Sequence, residues 1–560
     1  MSRQRNELSG LRLAARPAAV LLGGLALVAT GALAALPQAA AVPDGQAPMS
    51  SGPADLDVLF VGAHPDDEAG RLSMFGEWAE RYGAETGVIT VTRGEGGGNA
   101  VGPEEGPALG RIREAEERNA VGRAGITDVY NLDKVDFYYS VSEPLHRETW
   151  GHSDSLARVV RIIRATTPDV VMTMDTAPSP GNHGGHQEAS LLATEAYYAA
   201  GDPARFPEQI TEEGLEPFAP AKLFSSGVRG GGSTAGPNCA TTLQPNNPAD
   251  DIYGVWSGRT SSEQDKTWAQ IEREAQREYK SQGWGGFPDV NPDPAKLGCD
   301  FMHQIDARVP FVRGDLTAEA APSATMLEGA LLQEQGGLPL GTGLDMSTER
   351  FEVTPGGTSQ VAITLTAPDD ARLTDARARV RVPDGWSAEH TVSFGDLAKG
   401  ASKTRTVTVT AAGDAATNKR ALVEANVTAN AGRDGYTNQQ LAVVPAVAGT
   451  QQLLPRVTAF HTWADRTGVP QLSGSVKPVL TLPSGGTRTV GVDLANHSDA
   501  AQSGDVTLDL PDGFAADAAT KPYDQLAAGE TTTVEFEVTN TDDSLPTSNQ
   551  GGTNGDYDYT

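Results

Sequence analysis

The strongest constraint on the fold is an alternation of apolar, strand-like runs with helical stretches between residues 57 and 228. The runs LDVLFVGA, TGVITVT, ITDVYNL and PDVVMTMD are short and apolar throughout. Continuously apolar strands are typical of parallel sheets that helices cover on both faces. The pattern therefore predicts an α/β domain with a doubly wound, Rossmann-like, mostly parallel sheet, in which ligands bind beyond the carboxyl ends of the strands.

The helices of this domain are predicted over residues 68–82, 110–122, 153–164 and 186–199. The following stretch, residues 230–315, is rich in Gly, Pro and Asn, and we expect this insert to fold over the α/β unit with one helix at 262–282. The predicted domain covers residues 54–335.

The C-terminal part of the chain has a different pattern, with short period-two runs separated by turn residues. Such runs predict all-β sandwich (Ig-like) domains, here over residues 345–447 and 450–560. The two segments repeat: FEVTPGGTSQVAITL corresponds to VLTLPSGGTRTVGVDL at a period of about 128 residues, which indicates duplicated domains. The second copy ends at Thr560 without its last matching strand, and this favours a longer natural chain over a strand supplied from elsewhere.

The N-terminal residues 1–41 read as a signal peptide. Four arginines precede an apolar stretch at 18–36, which closes on the small residues AAA at 39–41. A retained membrane anchor is the alternative, because the stretch is close to spanning length. No charged cluster follows to stop transfer, so we expect a secreted, extracellular protein with no membrane span after cleavage.

Charge and cysteine content narrow the remaining choices. The formal net charge of -30 argues against nucleic acid as a partner, because phosphate binding needs clustered Lys and Arg. The chain has two cysteines, Cys239 and Cys299, and in an exported protein we expect them to form one disulfide. A zinc or catalytic role would need further Cys or His nearby at ligand spacing, and the sequence has none there.

Two clusters of polar residues follow predicted strands. The segment GAHPDDE places His64, Asp66 and Asp67 after the first strand, and a helical turn after Pro65 would bring residues three apart onto one face. The segment NHGGHQE places two of the chain's nine histidines, His183 and His186, after the fourth strand.

One imidazole from the second cluster would complete a set of two nitrogens and one carboxylate oxygen. With water in the fourth position, this is the ligand count of a catalytic zinc site. Iron and manganese can use similar donors. Each cluster also has a simpler interpretation: the first as an acidic helix N-terminus and the second as a solvated loop. Their joint position at strand ends of one domain favours a metal site.

The combination of motifs resembles the LmbE/PIG-L family of zinc-dependent N-deacetylases. The shared motifs are A-H-P-D-D-E after the first strand, T-x-G-E-G after the second, R-I-x-E in the next helix and H-x-x-H after the fourth strand. They lie within residues 56–228, with weaker likeness in EYKSQGW near Gln282. The resemblance implies removal of acetyl groups from N-acetylglucosamine-bearing substrates.

The resemblance also implies roles for individual residues. By position in the motifs, His64, Asp67 and His186 match the metal ligands. Asp66 matches the general base, and His183 matches the residue that stabilises the oxyanion or protonates the departing amine.

Two further residues and two departures concern the substrate. Arg111, the first residue of R-I-R-E, matches a family arginine that contacts substrate, and Glu95 is expected near the same cleft. Many relatives have Pro-Asp between the two histidines, where this chain has Gly184 and Gly185. Some relatives also have a mobile tyrosine before this motif, where this chain has SPGN.

We therefore expect a secreted deacetylase with one catalytic Zn²⁺ ion, acting on an N-acetylated amino sugar or glycan. The sandwich domains would be spacers or would contact a cell-wall or extracellular polysaccharide. Two alternatives stay open: an inactive sugar-binding protein, and a metal amidase that acts on a non-sugar N-acyl substrate.

Overall fold

The computed structural model of the chain describes residues 55–137, 139–140, 142–177, 181–313, 323–452, 455–467 and 482–545. The predicted signal peptide and the predicted end of the second sandwich at Thr560 lie outside these residues. Within the described ranges, no helix is both long enough and apolar enough to cross a lipid bilayer.

The N-terminal domain is built on one seven-stranded sheet. Its strands and those of a small hairpin are β1 (Val58–Gly62), β2 (Thr86–Thr90), β3 (Asp128–Asn131), β4 (Val170–Thr173), β5 (Lys222–Ser225), β6 (Gly230–Gly232), β7 (Leu243–Pro245), β8 (Ile252–Trp256) and β9 (Cys299–Ala307). The sheet order is β3-β2-β1-β4-β5-β9-β8. The first five strands are parallel, and β9 and β8 are antiparallel to their neighbours. This confirms the prediction of a mostly parallel α/β sheet.

Helices cover the sheet on both faces. They are α1 (Leu72–Tyr82), α2 (Pro107–Gly122), α3 (Glu143–Trp150), α4 (His152–Thr166), α5 (Gly184–Ala199), α6 (Glu208–Thr211), α7 (Cys239–Thr242) and α8 (Trp268–Gln276), with 3-10 turns at Lys280–Gln282, Trp284–Gly286 and Pro294–Lys296. Because successive strand residues face opposite sides, Phe60 of β1 packs in one core and Leu59 in the other. Both faces of β1 are therefore buried.

The insert differs from its prediction. Instead of only folding over the α/β unit, it supplies β8 and β9, which extend the sheet beyond β5. The disulfide between Cys239 and Cys299 joins α7 to the first residue of β9. The single helix expected over residues 262–282 is shorter, because α8 begins at a capping box on Thr267 and ends at Gln276, before the 3-10 turns.

The first sandwich follows directly on this domain. Its strands are β10 (Gly343–Thr348), β11 (Glu352–Val353), β12 (Thr358–Thr366), β13 (Leu373–Arg381), β14 (Thr391–Leu397), β15 (Ser402–Thr410), β16 (Lys419–Ala429) and β17 (Arg433–Val443). They form a three-stranded sheet, β10-β12-β15, and a five-stranded sheet, β11-β17-β16-β13-β14. Alternate apolar residues of both sheets, such as Ile363 and Val423, form one buried core.

The second β-domain is less regular. Its elements are β18 (Val447–Gln451), α9 (Pro455–Thr467), β19 (Thr487–Asn496), β20 (Gln502–Thr507), β21 (Phe514–Ala516), β22 (Thr520–Leu526) and β23 (Thr531–Asn540). The strands form sheets β18-β19-β23-β21 and β20-β22, with Phe536 buried between them. The period-two pattern did not predict α9, and β18 spans the gap that we expected between the two sandwiches.

Candidate active site

The loop after β1 brings His64 and Asp67 together by a turn. The Oδ2 atom of Asp67 accepts hydrogen bonds from the backbone N–H groups of Ala63 at 2.6 Å and His64 at 2.9 Å. The helix expected from residue 68 begins only at Leu72. Asp67 therefore reaches His64 through backbone contacts in a turn, and its Oδ1 atom faces the second loop.

Asp66 has an unusual backbone conformation and a strongly shifted carboxyl group. Its φ angle is 128°, a region that favours glycine over residues with a side chain. Burial and the neighbouring carboxylates of Asp67 and Glu68 raise the pKa of Asp66 well above its usual value. The Asp66 carboxyl group therefore loses its proton less readily than a solvent-exposed aspartate does.

The second loop ends at the start of α5, which places both of its histidines at the carboxyl edge of the sheet. His183 is the N-cap residue of α5, and His186 lies in its first turn. A Cβ atom on Gly184 would lie 2.4 Å from the backbone oxygen of Ser142, and one on Gly185 would lie 3.1 Å from Cε1 of His64. The two glycines therefore allow α5 to approach the loop after β1 and the residues before α3.

The two loops converge on one point. Ring nitrogens of His64, His183 and His186 lie within 4.8 Å of one another. The Nε2 atom of His186 lies 3.3 Å from Oδ1 of Asp67, and Nδ1 of His64 lies 3.7 Å from Oδ2 of Asp67. The structure thus brings together the three predicted ligands and also places His183 close enough to compete with Asp67 as a ligand.

The imidazoles have different charge preferences. Burial, together with the nearby His186 and His64, lowers the pKa of His183 to about 3. Burial lowers the pKa of His64, but a hydrogen bond to Asp136 and the charge of Asp67 outweigh it, so the net pKa is raised. His183 is therefore a neutral imidazole at physiological pH in the metal-free protein.

The donor set fits a divalent cation. Imidazole nitrogens and one carboxylate oxygen are suitable ligands for zinc, and also for iron and manganese. The Nδ1 atom of His183 is buried and has no hydrogen-bond partner among the described residues. A buried polar atom without a partner in a site of this kind is consistent with a group that binds there.

The cluster lies in an open cleft of about 520 Å³. Besides the metal-site candidates, its walls include Arg113, Asp136, Tyr139, Gln282 and Trp284. Oδ1 of Asp136 lies 3.4 Å from Nε2 of His64, and the Tyr139 ring packs edge-on against His183 at 5.1 Å between ring centroids. The cleft is therefore wide enough for a sugar-sized ligand beside the candidate metal ligands.

The wall of the cleft contains Arg113 rather than Arg111, and contact between Arg111 and the substrate stays a prediction. Arg111 is exposed, whereas Arg113, two residues later in α2, is buried and lines the cleft. Its guanidinium group donates hydrogen bonds to the backbone oxygens of Gly94 at 2.6 Å and Gly98 at 2.9 Å. The reason is the helical period, because the buried face of α2 carries residues 113, 116, 117 and 120.

Glu95 lies near the cleft but does not line it. One carboxylate oxygen accepts the backbone N–H of Asp136 at 3.0 Å, and the other accepts the backbone N–H of Arg93 at 3.0 Å. Glu95 therefore joins the loop after β2 to the loop after β3, and it acts on the site by placing Asp136.

The segment EYKSQGW contributes to the site from the insert. Gln282 donates a hydrogen bond to the backbone oxygen of Pro65 at 2.6 Å, and Trp284 forms part of the cleft wall. The Tyr279 hydroxyl group bonds to the buried carboxyl group of Glu68. Burial raises the pKa of Glu68 to about 7. The insert therefore supports the loop after β1 from behind.

The sequence analysis did not identify Arg113 and Asp136, which line the cleft. Arg113 could have been found from the buried face of α2, and Asp136 from a search of the loop after the third strand, which we did not include.

Two family models and several known proteins match parts of this chain. Residues 59–197 match the family model PIG-L, described as GlcNAc-PI de-N-acetylase, and residues 353–431 match the NPCBM-associated NEW3 domain of alpha-galactosidase. A 1D-myo-inositol 2-acetamido-2-deoxy-alpha-D-glucopyranoside deacetylase from Thermobispora bispora is 33% identical over 189 residues, which cover 30% of this chain and 59% of that protein. A protein of the same name from Catenulispora acidiphila is 26% identical over 47% of this chain and 86% of its own length.

Solved structures give a weaker comparison. An N,N'-diacetylchitobiose deacetylase from Pyrococcus horikoshii matches with 20% identity and a TM-score of 0.30, over 42% of this chain and 71% of that one. The assignment therefore rests on the sequence matches. Residues 59–197 of this chain form a domain of the PIG-L/LmbE deacetylase family, and a NEW3 β-domain follows it.

Proposed function

We propose that this chain is a secreted, zinc-dependent hydrolase that removes the acetyl group from an N-acetylglucosamine-type amino sugar or glycan. One observation carries the proposal: the loops after β1 and β4 converge so that imidazole nitrogens, the Asp67 carboxylate and a separate Asp66 carboxylate share one cleft. The names of the relatives support the reaction and the class of sugar. The arginine-led apolar N-terminus supports export.

We assign the metal to His64, Asp67 and His186. The backbone contacts of Asp67 fix one of its oxygens and leave the other directed at His186, as expected for a preorganised ligand. A cation bound there would supply Lewis-acid polarisation of the amide carbonyl and would lower the pKa of water toward ~7. In this assignment His183 lies next to the three ligands and does not bind the metal.

Asp66 is the proposed general base. It lines the cleft beside the ligand cluster without a role in holding Asp67 or His64. A positive charge nearby would lower its raised pKa and leave a carboxylate that accepts the proton of the attacking water. The same proton can then pass from Asp66 to the nitrogen of the departing amine, which leaves acetate and a free amino sugar.

His183 is the proposed oxyanion donor. Because its pKa is low, His183 is a neutral imidazole. A neutral imidazole donates one N–H hydrogen bond, but it has no additional acidic proton to transfer to the amine. This favours stabilisation of the tetrahedral intermediate over protonation of the amine, the other role that the family pattern allows. Arg113 and Asp136 line the same cleft, and we assign them to contacts with the sugar ring.

The decisive test is amine and acetate release from N-acetylglucosamine, chitooligosaccharides and muropeptides, with and without a chelator. We expect turnover that the chelator removes and zinc restores. Asp66→Asn should lower kcat by about 100-fold or more while the purified protein keeps its metal. Bound metal without turnover on any substrate would favour a sugar-binding protein. Turnover on N-acetyl amino acids alone would favour an amidase that acts on non-sugar substrates.

A further inference from the structure

A second groove lies between the α/β domain and the first sandwich. It consists of two cavities of about 590 and 360 Å³ that share the wall residues Tyr198, Asp306, Met346, Phe351 and Gln439. We call this continuous space the junction groove. Its volume is in the range of sites that bind small molecules or short polymers.

The junction groove is separate from the catalytic cleft. The wall residues of the two sites do not overlap. Helix α5 extends from one to the other, with His186 in its first turn and Tyr198 in its last. His186 and Tyr198 are twelve positions apart, so a rise of about 1.5 Å per residue places them about 18 Å apart along the helix.

Each domain contributes one exposed aromatic ring to the groove. Tyr198 from α5 is 51% exposed, and Phe351 from the loop between β10 and β11 is 45% exposed. Both rings line both cavities. Large aromatic side chains left partly in water beside a cavity indicate a binding surface, and a flat apolar ring face suits the C–H face of a sugar ring.

Ordered polar groups lie beside these rings. The Oε1 atom of Gln304 in β9 is buried, its residue is only 7% exposed, and it has no hydrogen-bond partner within the described residues. The Arg308 guanidinium group lies 4.0 Å from the centroid of the Tyr197 ring and donates to the backbone oxygen of Pro220 at 2.9 Å. The groove thus offers the Arg308 guanidinium group as a donor and Gln304 Oε1 as an unpaired acceptor. A hydroxyl group can hydrogen-bond with both, because it is a donor and an acceptor.

The charges of the groove favour a neutral ligand. Its walls carry the carboxyl groups of Asp251, Asp306 and Asp345 and the guanidinium groups of Arg308 and Arg420. The near balance of signs gives no strong attraction for an ion. The formal net charge of -30 also opposes a polyanion.

We propose that the junction groove binds a neutral carbohydrate chain, with Tyr198 and Phe351 against successive sugar rings and Gln304 accepting a hydrogen bond from a hydroxyl group. The proposal rests on the proposed function for the kind of sugar, but binding does not require turnover. A polymer held there would be retained near the catalytic cleft, which raises the local concentration of acetylated sugar units.

Calorimetric titration of the full chain with chitohexaose tests the proposal, in an Asp66→Asn background so that the ligand stays intact. We expect two binding events. Phe351→Leu and Tyr198→Leu should each weaken one of them about five- to tenfold, because they remove a ring face. Phe351→Trp and Tyr198→Phe keep a ring and serve as matched controls that should bind as tightly as the parent. Thermal melts of all four variants verify folding.

Two results would overturn the proposal: equal affinity of the Leu variants and their ring-retaining controls, or tighter binding of the anionic polymer polygalacturonate than of chitohexaose. Turnover of single N-acetylglucosamine by the groove variants with Asp66 intact separates the two proposals. If the Leu variants show normal turnover and bind chitohexaose as tightly as the parent, only the proposal for the junction groove is contradicted. If the proteins with Asp66 intact show no turnover but chitohexaose binding depends on the two rings, only the proposed deacetylase function is contradicted.

Discussion

Asp66 and Gly184 show how single residues make the site. Asp66 has a φ angle of 128°, and non-glycine residues in such conformations cost about 1–3 kcal/mol and cluster at functional sites. Gly184 lets the start of α5 pack against Ser142 and His146. The start of α5 therefore lies so close to these residues that position 184 has room for glycine and not for a larger side chain.

Gly184→Ala should disrupt the site from within α5. Its Cβ atom would lie 2.4 Å from the Ser142 oxygen and 2.6 Å from Nδ1 of His146, so the helix start must shift and carry both histidines with it. We expect a loss of about 1–3 kcal/mol in the free energy of unfolding and weaker metal binding. Denaturant unfolding and metal titration measure the two effects.

Gly122→Ala is the matched control for this change. Gly122 ends α2, and its added Cβ atom would meet no atom within 4 Å. Because alanine favours the helix over glycine by about 0.5–1 kcal/mol, this variant should be as stable as the parent or slightly more stable. Equal behaviour of the two variants would show that the packing at Gly184 is unimportant.

At the scale of elements, the site depends on how α4 and α5 are joined. His152 at the start of α4 bonds through Nδ1 to Glu188 at 2.7 Å and through Nε2 to Glu195 at 2.9 Å, both on α5. Burial lowers the pKa of His152, but the two carboxylate bonds outweigh it and raise the net pKa above its usual value. A protonated His152 therefore helps to hold the helix that carries His186.

This bridge predicts a pH dependence of stability. Because the folded-state pKa of His152 is raised, its contribution is complete below its unfolded value of about 6.5 and is lost as the pH rises through the folded value. The nearby Glu143, whose pKa burial and Glu188 raise to about 7, changes stability in the same direction. The melting temperature of the metal-free protein should fall from about pH 6 to about pH 9.

His152→Gln isolates the contribution of the histidine. Glutamine keeps hydrogen-bonding ability but cannot carry the charge, so the variant should lose stability mainly at the acid end of this range. Its melting temperature should then depend less on pH than that of the parent. If the melting temperatures of the two proteins change with pH in parallel, the bridge formed by His152 is not the cause of the pH dependence.

The disulfide acts on elements of the insert. Cys239 and Cys299 are 60 positions apart and tie α7 to the start of β9. Closing a loop of this length in the unfolded chain stabilises a domain by about 2–4 kcal/mol. Paired replacement of both cysteines by serine should lower the free energy of unfolding by this amount in chemical denaturation. A reducing agent should affect the parent in the same way and leave the serine variant unchanged.

For the whole molecule, the first sandwich is joined to the α/β domain by more than a linker. The backbone N–H of Phe311 donates to the Tyr436 oxygen at 3.0 Å, and the two rings pack edge-on at 5.3 Å. Asn438 donates to Asp251 at 2.8 Å. The described contacts between the two β-domains include the exposed pair Arg350 and Asp499 at 3.0 Å, and exposed ion pairs contribute little.

Truncated chains test whether the first sandwich stabilises the α/β domain more than the second β-domain does. A chain that ends at Ala446 should keep the proposed deacetylase activity and the main melting transition of the full chain, because it retains the joint at Phe311. A chain that ends at Gln335 exposes the apolar groups of that joint and should melt at a lower temperature or aggregate. Differential scanning calorimetry distinguishes the two. Equal melting of both truncated chains would contradict a structural role for the first sandwich.

Features of this protein that depend on local sequence pattern could be predicted without the structure. Apolar runs of strand length predicted the parallel sheet, and period-two runs predicted the β-domains, because burial and backbone hydrogen bonding impose those periods. The motif positions identified His64, Asp67, His183 and His186, since strand ends are recognisable along the chain. Their neighbourhood was also predictable in outline, because carboxyl ends of parallel strands share one edge of the sheet.

Which of these strand ends are neighbours depends on the order of the strands in the folded sheet. The adjacency of β1 and β4, where the strand order reverses, brings the two loops into one crevice, and no local pattern encodes that pairing. The choice of Arg113 over Arg111, the use of Glu95 as a support for Asp136, and the junction groove likewise depend on contacts between residues far apart in sequence. Such contacts are formed by packing between segments that are distant in sequence. The periodicity of one segment does not indicate which other segment it contacts.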